Sequence, residues 1–161
     1  MGWVAWAVEK AFTGKSSSYD IATTVEIVSS AKNALTVNFI HDNGWGVAGH
    51  APLNGDNINL LTIGTGSRVI PTRTADGKVY NTITDTILMG RTAAHEVGHS
   101  LGLEHPWISS SDIESGRYPA LKAGQTRPGY SRRGVMDYPP FDSDKANRSE
   151  LNMLLAAQGI R

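Results

Sequence analysis

The stretch from His95 to His105, HEVGHSLGLEH, constrains this chain more than any other part of it. Residues four apart lie on one face of an α-helix, so a helix through this stretch brings His95 and His99 together. Gly102 offers the helix a place to stop, because glycine accepts a left-handed backbone at low cost. A turn there can bring His105 back to the other two histidines. The pattern predicts three imidazoles that meet at the end of a helix.

Three imidazoles in such a cluster form a ligand set for one Zn2+ ion, which binds histidine nitrogen at about 2.0–2.1 Å. Three ligands leave a tetrahedral ion with one position for water, and zinc lowers the pKa of that water toward roughly 7. Glu96 lies one position round the helix from His95, so its carboxylate misses the ion and can reach the water. It can take the proton as the water attacks a carbonyl and pass it to the leaving amine. The predicted chemistry is hydrolysis of an amide bond.

The full string fits HExxHxxGxxH, and the chain resembles the metzincin zinc endopeptidases, whose signature this is. That family also has a methionine-containing turn below the metal, and residues 134–139, GVMDYP, resemble this Met-turn. By the resemblance, Met136 lies under the three histidines. Tyr138 matches the tyrosine that, in astacin-like, serralysin-like and pappalysin-like members, touches zinc or stabilises the oxyanion. We assign Tyr138 the stabilising role, because a phenol donor is most effective in a site that excludes water.

The resemblance also implies the fold, which is α+β, with a small twisted mixed sheet, an active-site helix, the Met-turn and a C-terminal helix. The stretch from Gly46 to Pro52 is similar to the edge strand of the metzincin sheet, along which the family lays its substrate antiparallel. We therefore expect Gly46, Ala48 and His50 to contact substrate. The chain departs from the family plan in one respect, because the family's sheet normally starts with a strand before its first helix. If Trp3 to Phe12 is that helix, the strand is either upstream or missing.

Residue patterns predict the other elements. Bulky residues at helical spacing predict a first helix, and β-branched residues predict a strand over Ile21 to Val28, where a helix stays open as an alternative. A segment from 106 to 133, rich in Ser, Gly, Pro and Arg, is expected to be irregular and to shape the substrate pocket. The remaining predictions are a helix over Trp3 to Phe12, strands over Leu35 to Ile40 and Ile58 to Ile63, a hairpin over Arg68 to Asn81, the active-site helix from Asp85 or Thr86 to Gly102, and a last helix capped by Asn147 or Ser149.

Other interpretations of these residues stay open. A bare HExxH also occurs in ordinary helices, methionine is commonly a core gap-filler, and a buried tyrosine commonly bonds a backbone carbonyl. The whole chain could instead be a zinc-binding module that does not hydrolyse anything, although Glu96 argues against a purely structural site. It could also be the protease-type toxin or effector domain of a larger bacterial secreted protein, with a protein inhibitor or immunity partner.

Composition limits the possible partners. The 161 residues predict a single catalytic domain, 1–161, possibly excised from a larger protein. Fifteen basic and fifteen acidic residues cancel, so neither nucleic acid nor an anionic membrane is an expected partner, and polypeptides are the expected substrates. No cysteine is present, so the chain has neither disulfides nor a thiolate-based latency switch. Its N-terminus lacks the pattern of a signal peptide, and we expect a mature or excised domain that is secreted or delivered outside the producing cell and whose export information lies elsewhere.

Overall fold

The computed structural model describes residues 2–30, 32, 34–41, 49–62, 72–73, 79–80, 85–137 and 143–160. The helices within these ranges are α1 (Gly2–Phe12), α2 (Asp85–Ser100), α3 (Ser110–Glu114) and α4 (Arg148–Ala157). The strands are β1 (Gly14–Lys15), β2 (Asp20–Ile21), β3 (Thr36–His41), β4 (Gly49–His50), β5 (Asn57–Thr62), β6 (Thr72–Arg73) and β7 (Val79–Tyr80). In this part of the chain no helix is long and apolar enough to cross a bilayer.

A three-stranded mixed sheet in the order β3-β5-β4 lies at the centre of the fold. Strand β3 runs parallel to β5, from the pair Thr36 and Asn57 to the pair His41 and Thr62. Strand β4 is antiparallel to β5 and lies at the sheet's edge among the described strands. The small mixed sheet and the helices confirm the predicted α+β, metzincin-like class. The twist of the sheet, which the prediction also named, is implied by the right-handed twist of strands in general.

The core lies between this sheet and the two helices α1 and α2. Helix α1 packs on α2, and α2 packs on β5 and β4. The two helices approach closely at Gly90, where a methyl group would lie 2.9 Å from the Ala7 Cβ atom. The buried apolar side chains of this core are Val8, Ala11, Phe12, Ile58, Leu60, Ala93, Ala94, Val97, Leu103, Val135 and Met136. The core therefore reaches from α1 to the turn that contains Met136.

The strand predicted over Ile21 to Val28 is wrong beyond its first residue, because β2 ends at Ile21. The backbone N–H of Val25 donates to the Glu9 carboxylate at 2.9 Å, and that of Thr23 donates to the Thr13 hydroxyl at 3.0 Å. These donors are bonded to side chains of α1 and its end rather than to a neighbouring strand. The β-branched residues of this stretch predicted a strand, but they could not indicate that side chains of another element would accept these hydrogen bonds.

The segment 106–133, expected to be irregular, contains the short helix α3. Ser109 caps α3, and its side chain accepts a hydrogen bond from the Asp112 N–H while the Asp112 carboxylate accepts one from the Ser109 N–H. The other predicted elements are found close to their expected bounds, and Asn147 is the residue that caps α4. Strands β6 and β7 pair antiparallel, as predicted for the hairpin, whose turn lies outside the described residues.

Candidate metal centre

Helix α2 ends in a turn that reverses the chain toward His105. The N–H of Gly102 donates to the His99 carbonyl at 3.0 Å, and that of Leu103 donates to the Gly98 carbonyl at 2.8 Å. This pair of bonds is the Schellman motif, whose penultimate residue needs a left-handed backbone, and Gly102 has a φ of +91°. The predicted role of Gly102 as the helix stop is therefore confirmed.

Three imidazole nitrogens meet beyond this turn. The His105 Nε2 atom lies 3.1 Å from the His95 Nε2 atom and 3.2 Å from the His99 Nε2 atom. The His95 Nδ1 atom lies 2.9 Å from the Val135 carbonyl, and the His99 Nδ1 atom lies 2.8 Å from the Leu103 carbonyl. Each carbonyl can only accept, so each of these two rings carries its proton on Nδ1 and keeps an Nε2 lone pair.

The donor set fits Zn2+. The Nε2 atoms of His95 and His99 both lie close to the His105 Nε2 atom, whose single proton could make a linear hydrogen bond to only one of them. Nitrogens around a tetrahedral zinc ion lie about 3.3 Å apart, close to the observed separations. The hydrogen bonds from Nδ1 to carbonyls are the outer contacts that orient histidine ligands on a metal. His95, His99 and His105 are thus the residues that would hold the ion, as predicted.

Burial keeps these imidazoles neutral. It lowers the pKa of His95 to about 4 and, with repulsion from the neighbouring His99 and His95, the pKa of His105 to about 3. Burial is also the main reason why the pKa of His99 is lowered. A metal ligand must be deprotonated, so all three rings are available to a cation at neutral pH without losing a proton first.

Glu96 is buried beside this cluster, beneath the edge strand β4. Burial raises its pKa to about 7, although a hydrogen bond with the Ala51 backbone acts in the opposite direction. A methyl group on Gly49 would lie 2.8 Å from both Cγ and Oε1 of Glu96, so the glycine provides the space for this carboxylate. The sequence prediction named Gly46, Ala48 and His50 in this strand but did not name Gly49. A glycine inside a strand often marks a close approach by another group, and this feature could have identified it.

His105 stacks on Trp107, with ring centroids 4.3 Å apart and planes inclined by 10°. The Arg132 guanidinium also lies over the Trp107 ring, 5.5 Å from its centroid. Arg132 in turn makes two hydrogen bonds to Asp137, from Nε to Oδ2 at 2.6 Å and from Nη2 to Oδ1 at 2.8 Å. These contacts link the third histidine to the residue that follows Met136.

A second set of contacts anchors the backbone on both sides of His105 through Arg127, which is buried. Its guanidinium donates to Glu104 at 2.9 Å, to Asp112 at 2.7 Å and to the Trp107 carbonyl at 3.0 Å. Its own N–H donates to the Pro106 carbonyl at 2.8 Å. No spacing in the sequence indicated that Arg127, Glu104 and Asp112 would meet.

Met136 is fully buried under the helix that bears the histidines. Its Sδ atom lies 2.3 Å from the position that a Cβ atom on Gly98 would take, so any side chain there would require Met136 to shift. The Glu150 carboxylate holds the backbone at Met136, accepting hydrogen bonds from the N–H groups of Val135 at 3.1 Å, Met136 at 2.9 Å and Asn147 at 2.8 Å. The family resemblance predicted that Met136 lies under the histidines. It did not indicate the contacts that Glu150 and Gly98 make with the turn and with Met136.

The other predicted site residues are only partly described. His50 is exposed on β4, and its charge is near enough to His99 to lower the pKa of that ring. Tyr138, Gly46 and Ala48 lie outside the described residues, so their predicted roles remain predictions.

Residues 85–158 match a family model described as Met-zincin. The matched range includes α2, the segment with His105, the turn at Met136 and α4. No curated protein and no solved structure matches the chain. The resemblance predicted from HExxHxxGxxH is confirmed over the part of the chain that holds the three histidines.

Proposed function

Since residues 85–158 match the Met-zincins and contain a histidine cluster suited to zinc, we propose that this chain is a zinc-dependent endopeptidase. The observation that carries the proposal is the meeting of three Nε2 atoms at the end of α2, beside a buried glutamate. When bound by these histidines, zinc supplies a Lewis acid that polarises a carbonyl and lowers the pKa of a coordinated water toward roughly 7.

Glu96 is the proposed general base. Its pKa of about 7 lets the carboxylate accept a proton and release it again near neutral pH. The proton taken from the attacking water is then available for the amine that leaves when the peptide bond breaks. A purely structural zinc site would usually be closed by a fourth protein ligand and would not need a buried carboxylate beside the histidines.

We propose that the substrate is a polypeptide that lies along β4. An edge strand offers backbone N–H and carbonyl groups to an extended chain, and β4 covers Glu96 directly. Gly46, Ala48 and His50 are the proposed substrate contacts, and Tyr138 is the proposed stabiliser of the oxyanion. Met136 is proposed to form the Met-turn, which its burial against Gly98 supports.

The test compares Glu96→Gln with the wild type for bound zinc, by elemental analysis, and for cleavage of casein. We expect one zinc per chain in both proteins and roughly 10²–10⁴-fold slower cleavage by the variant, the usual range for loss of a general base. Glu114→Gln, at an exposed carboxylate of α3, is the matched control and should cleave at the wild-type rate.

Cleavage by Glu96→Gln at the wild-type rate would remove Glu96 from the mechanism, and a wild type without zinc would contradict the metal centre. Bound zinc without cleavage of casein or of a peptide library would favour the alternative of a zinc-binding module.

A further inference from the structure

His105 differs from the other two histidines in the kind of backbone that bears it. His95 and His99 belong to α2, whose hydrogen bonds hold their Cα atoms at a fixed spacing. His105 follows the end of the helix, in a stretch without helix or strand. Contacts from outside the helix must therefore orient its ring, and one of them is the stack on Trp107.

We propose that Trp107 and Arg132 are positioning residues that fix the ring plane of His105, an inference that rests on the proposed zinc site. The indole and the imidazole lie nearly parallel, at 10°, with centroids 4.3 Å apart. A ring in such a stack cannot rotate about its Cβ–Cγ bond without losing the contact. The direction of the Nε2 lone pair rotates with the ring, so the stack aims the ligand at the metal.

Arg132 holds the indole in turn. Its guanidinium lies over the Trp107 ring, and its Nε and Nη2 atoms each donate a hydrogen bond to one carboxylate oxygen of Asp137. The Asp137 side chain is fully buried, so this end of the connection is fixed in the protein interior. A bidentate guanidinium–carboxylate pair also restricts orientation, which a single contact does not.

The connection ends at the turn that also orients His95. Asp137 belongs to that turn, where its N–H donates to the Gly134 carbonyl at 3.3 Å. In the same turn, the Val135 carbonyl accepts the Nδ1 proton of His95. Two of the three ligands are thus positioned from one short turn, one by a direct hydrogen bond and the other through Arg132 and Trp107.

The experiment measures zinc affinity by chelator competition and the visible spectrum of the Co2+-substituted protein, neither of which needs substrate. We expect Trp107→Ala to weaken zinc binding roughly 10–100-fold, as loss of an outer contact usually does, and to alter the Co2+ bands that report ligand geometry. Trp107→Phe keeps an aromatic face and should recover most of the affinity. The zinc affinity of Arg132→Met should lie between those of Trp107→Ala and Trp107→Phe. Arg132→Lys should not recover the wild-type affinity, because lysine cannot donate two parallel hydrogen bonds to Asp137.

Trp6→Ala is the matched control, because Trp6 also has a cation over its ring, Lys10 at 5.2 Å, but is 60% exposed on α1. It should leave both zinc affinity and the Co2+ spectrum unchanged. Thermal unfolding of the metal-free variants detects any that do not fold, and Trp107→Phe and Arg132→Met then carry the test.

Unchanged affinity and spectrum in Trp107→Ala would overturn the inference. Equal losses in Trp107→Phe and Trp107→Ala would also overturn it, because an aromatic face would then have no part in aiming the ligand. A wild type that binds no zinc would instead contradict the proposed function itself, so the two failures are distinguishable.

Discussion

The histidine-bearing helix α2 and the segment from Leu103 to Arg132 bring imidazole nitrogens to the same point by different means. The positions of His95 and His99 follow from helical geometry, which needs only residues of the same helix. The position of His105 depends on contacts made by Trp107, Arg127 and Arg132 along the segment. One region is organised locally, and the other by contacts between residues distant in sequence.

This difference shows where a substitution should act on the metal centre. On α2, loss of a side chain should remove a proposed ligand or the proposed base but leave the helix in place. In the segment, loss of one side chain should disturb the backbone around His105, so that stability and metal affinity fall together. Substitutions away from the ligands can therefore test whether the two regions differ in this way.

Arg127→Met should have the largest effect among such substitutions. It would leave the carboxylates of Glu104 and Asp112, which are largely buried, with only the half-exposed Arg117 as a shared cation. Breaking a buried ion pair at one partner costs about 3–5 kcal/mol. Because Arg117 stays close to both carboxylates, we expect a loss at the lower end of this range in the free energy of unfolding, measured in urea, together with weaker zinc binding.

Arg148→Met is the control for Arg127→Met, because Arg148 is exposed at the start of α4. It should change the free energy of unfolding by less than about 0.5 kcal/mol. Equal losses in the two variants, or a destabilised Arg127→Met with unchanged zinc affinity, would contradict the idea that the segment couples stability to metal binding.

The same contrast explains what could be predicted from the sequence. The places of His95, Glu96 and His99, the stop at Gly102 and the cap at Asn147 depend on helical periodicity and on local backbone preferences, so they could be predicted. The edge strand β4 and the burial of Met136 came from resemblance to a family.

Long-range contacts had no comparable signal. Nothing in the spacing of Arg127, Glu104 and Asp112 indicates that they meet, and Glu150 resembled any first-turn glutamate of a capped helix. The strand predicted over Ile21 to Val28 failed for the same reason, since the Glu9 side chain bonds the Val25 N–H from another element. Contacts of this kind depend on how elements pack, and no local pattern encodes that.

Gly102→Ala tests the junction between the two regions and should have the second-largest effect. Alanine at a left-handed position is strained by roughly 1–2 kcal/mol. At Gly102, with φ of +91°, the new methyl group would also lie 2.7 Å from the Asn54 Oδ1 atom. We expect an additional loss of roughly 1 kcal/mol from this crowding and weaker zinc binding, because His105 could no longer turn back fully.

Gly116→Ala separates crowding from strain. Gly116 has a similar φ of +71°, but a methyl group there meets nothing within 4 Å among the described residues. In urea, the free energy of unfolding of Gly116→Ala should fall only by the strain of the left-handed backbone, and the zinc affinity of this variant should be unchanged. Equal losses of affinity at the two glycines would show that the direction of the chain at Gly102 does not matter to His105.

Glu150→Gln should have the smallest effect and tests a long-range contact that supports the position of His95 on α2. Glu150 holds the turn whose Val135 carbonyl orients His95. Burial, the largest cause, raises the pKa of Glu150 in the folded protein, and nearby Asp137, itself paired with Arg132, adds to this, while the three backbone donors oppose it. Protonated Glu150 therefore favours the folded state. This contribution is fully present below the ordinary glutamate pKa and is lost as pH rises through the raised value.

Glutamine does not titrate, so the variant lacks this dependence. Unfolding in urea at several pH values should show that wild type loses stability relative to Glu150→Gln as pH rises above about 4.5, the ordinary value for glutamate. A relative gain for wild type over this range would mean that the hydrogen bonds from Val135, Met136 and Asn147 outweigh burial. Zinc affinity should change less than in Arg127→Met, because α2 holds His95 in place even where the turn is weakened. A loss of affinity as large as in Arg127→Met would show that the helix side depends on distant contacts as much as the segment does.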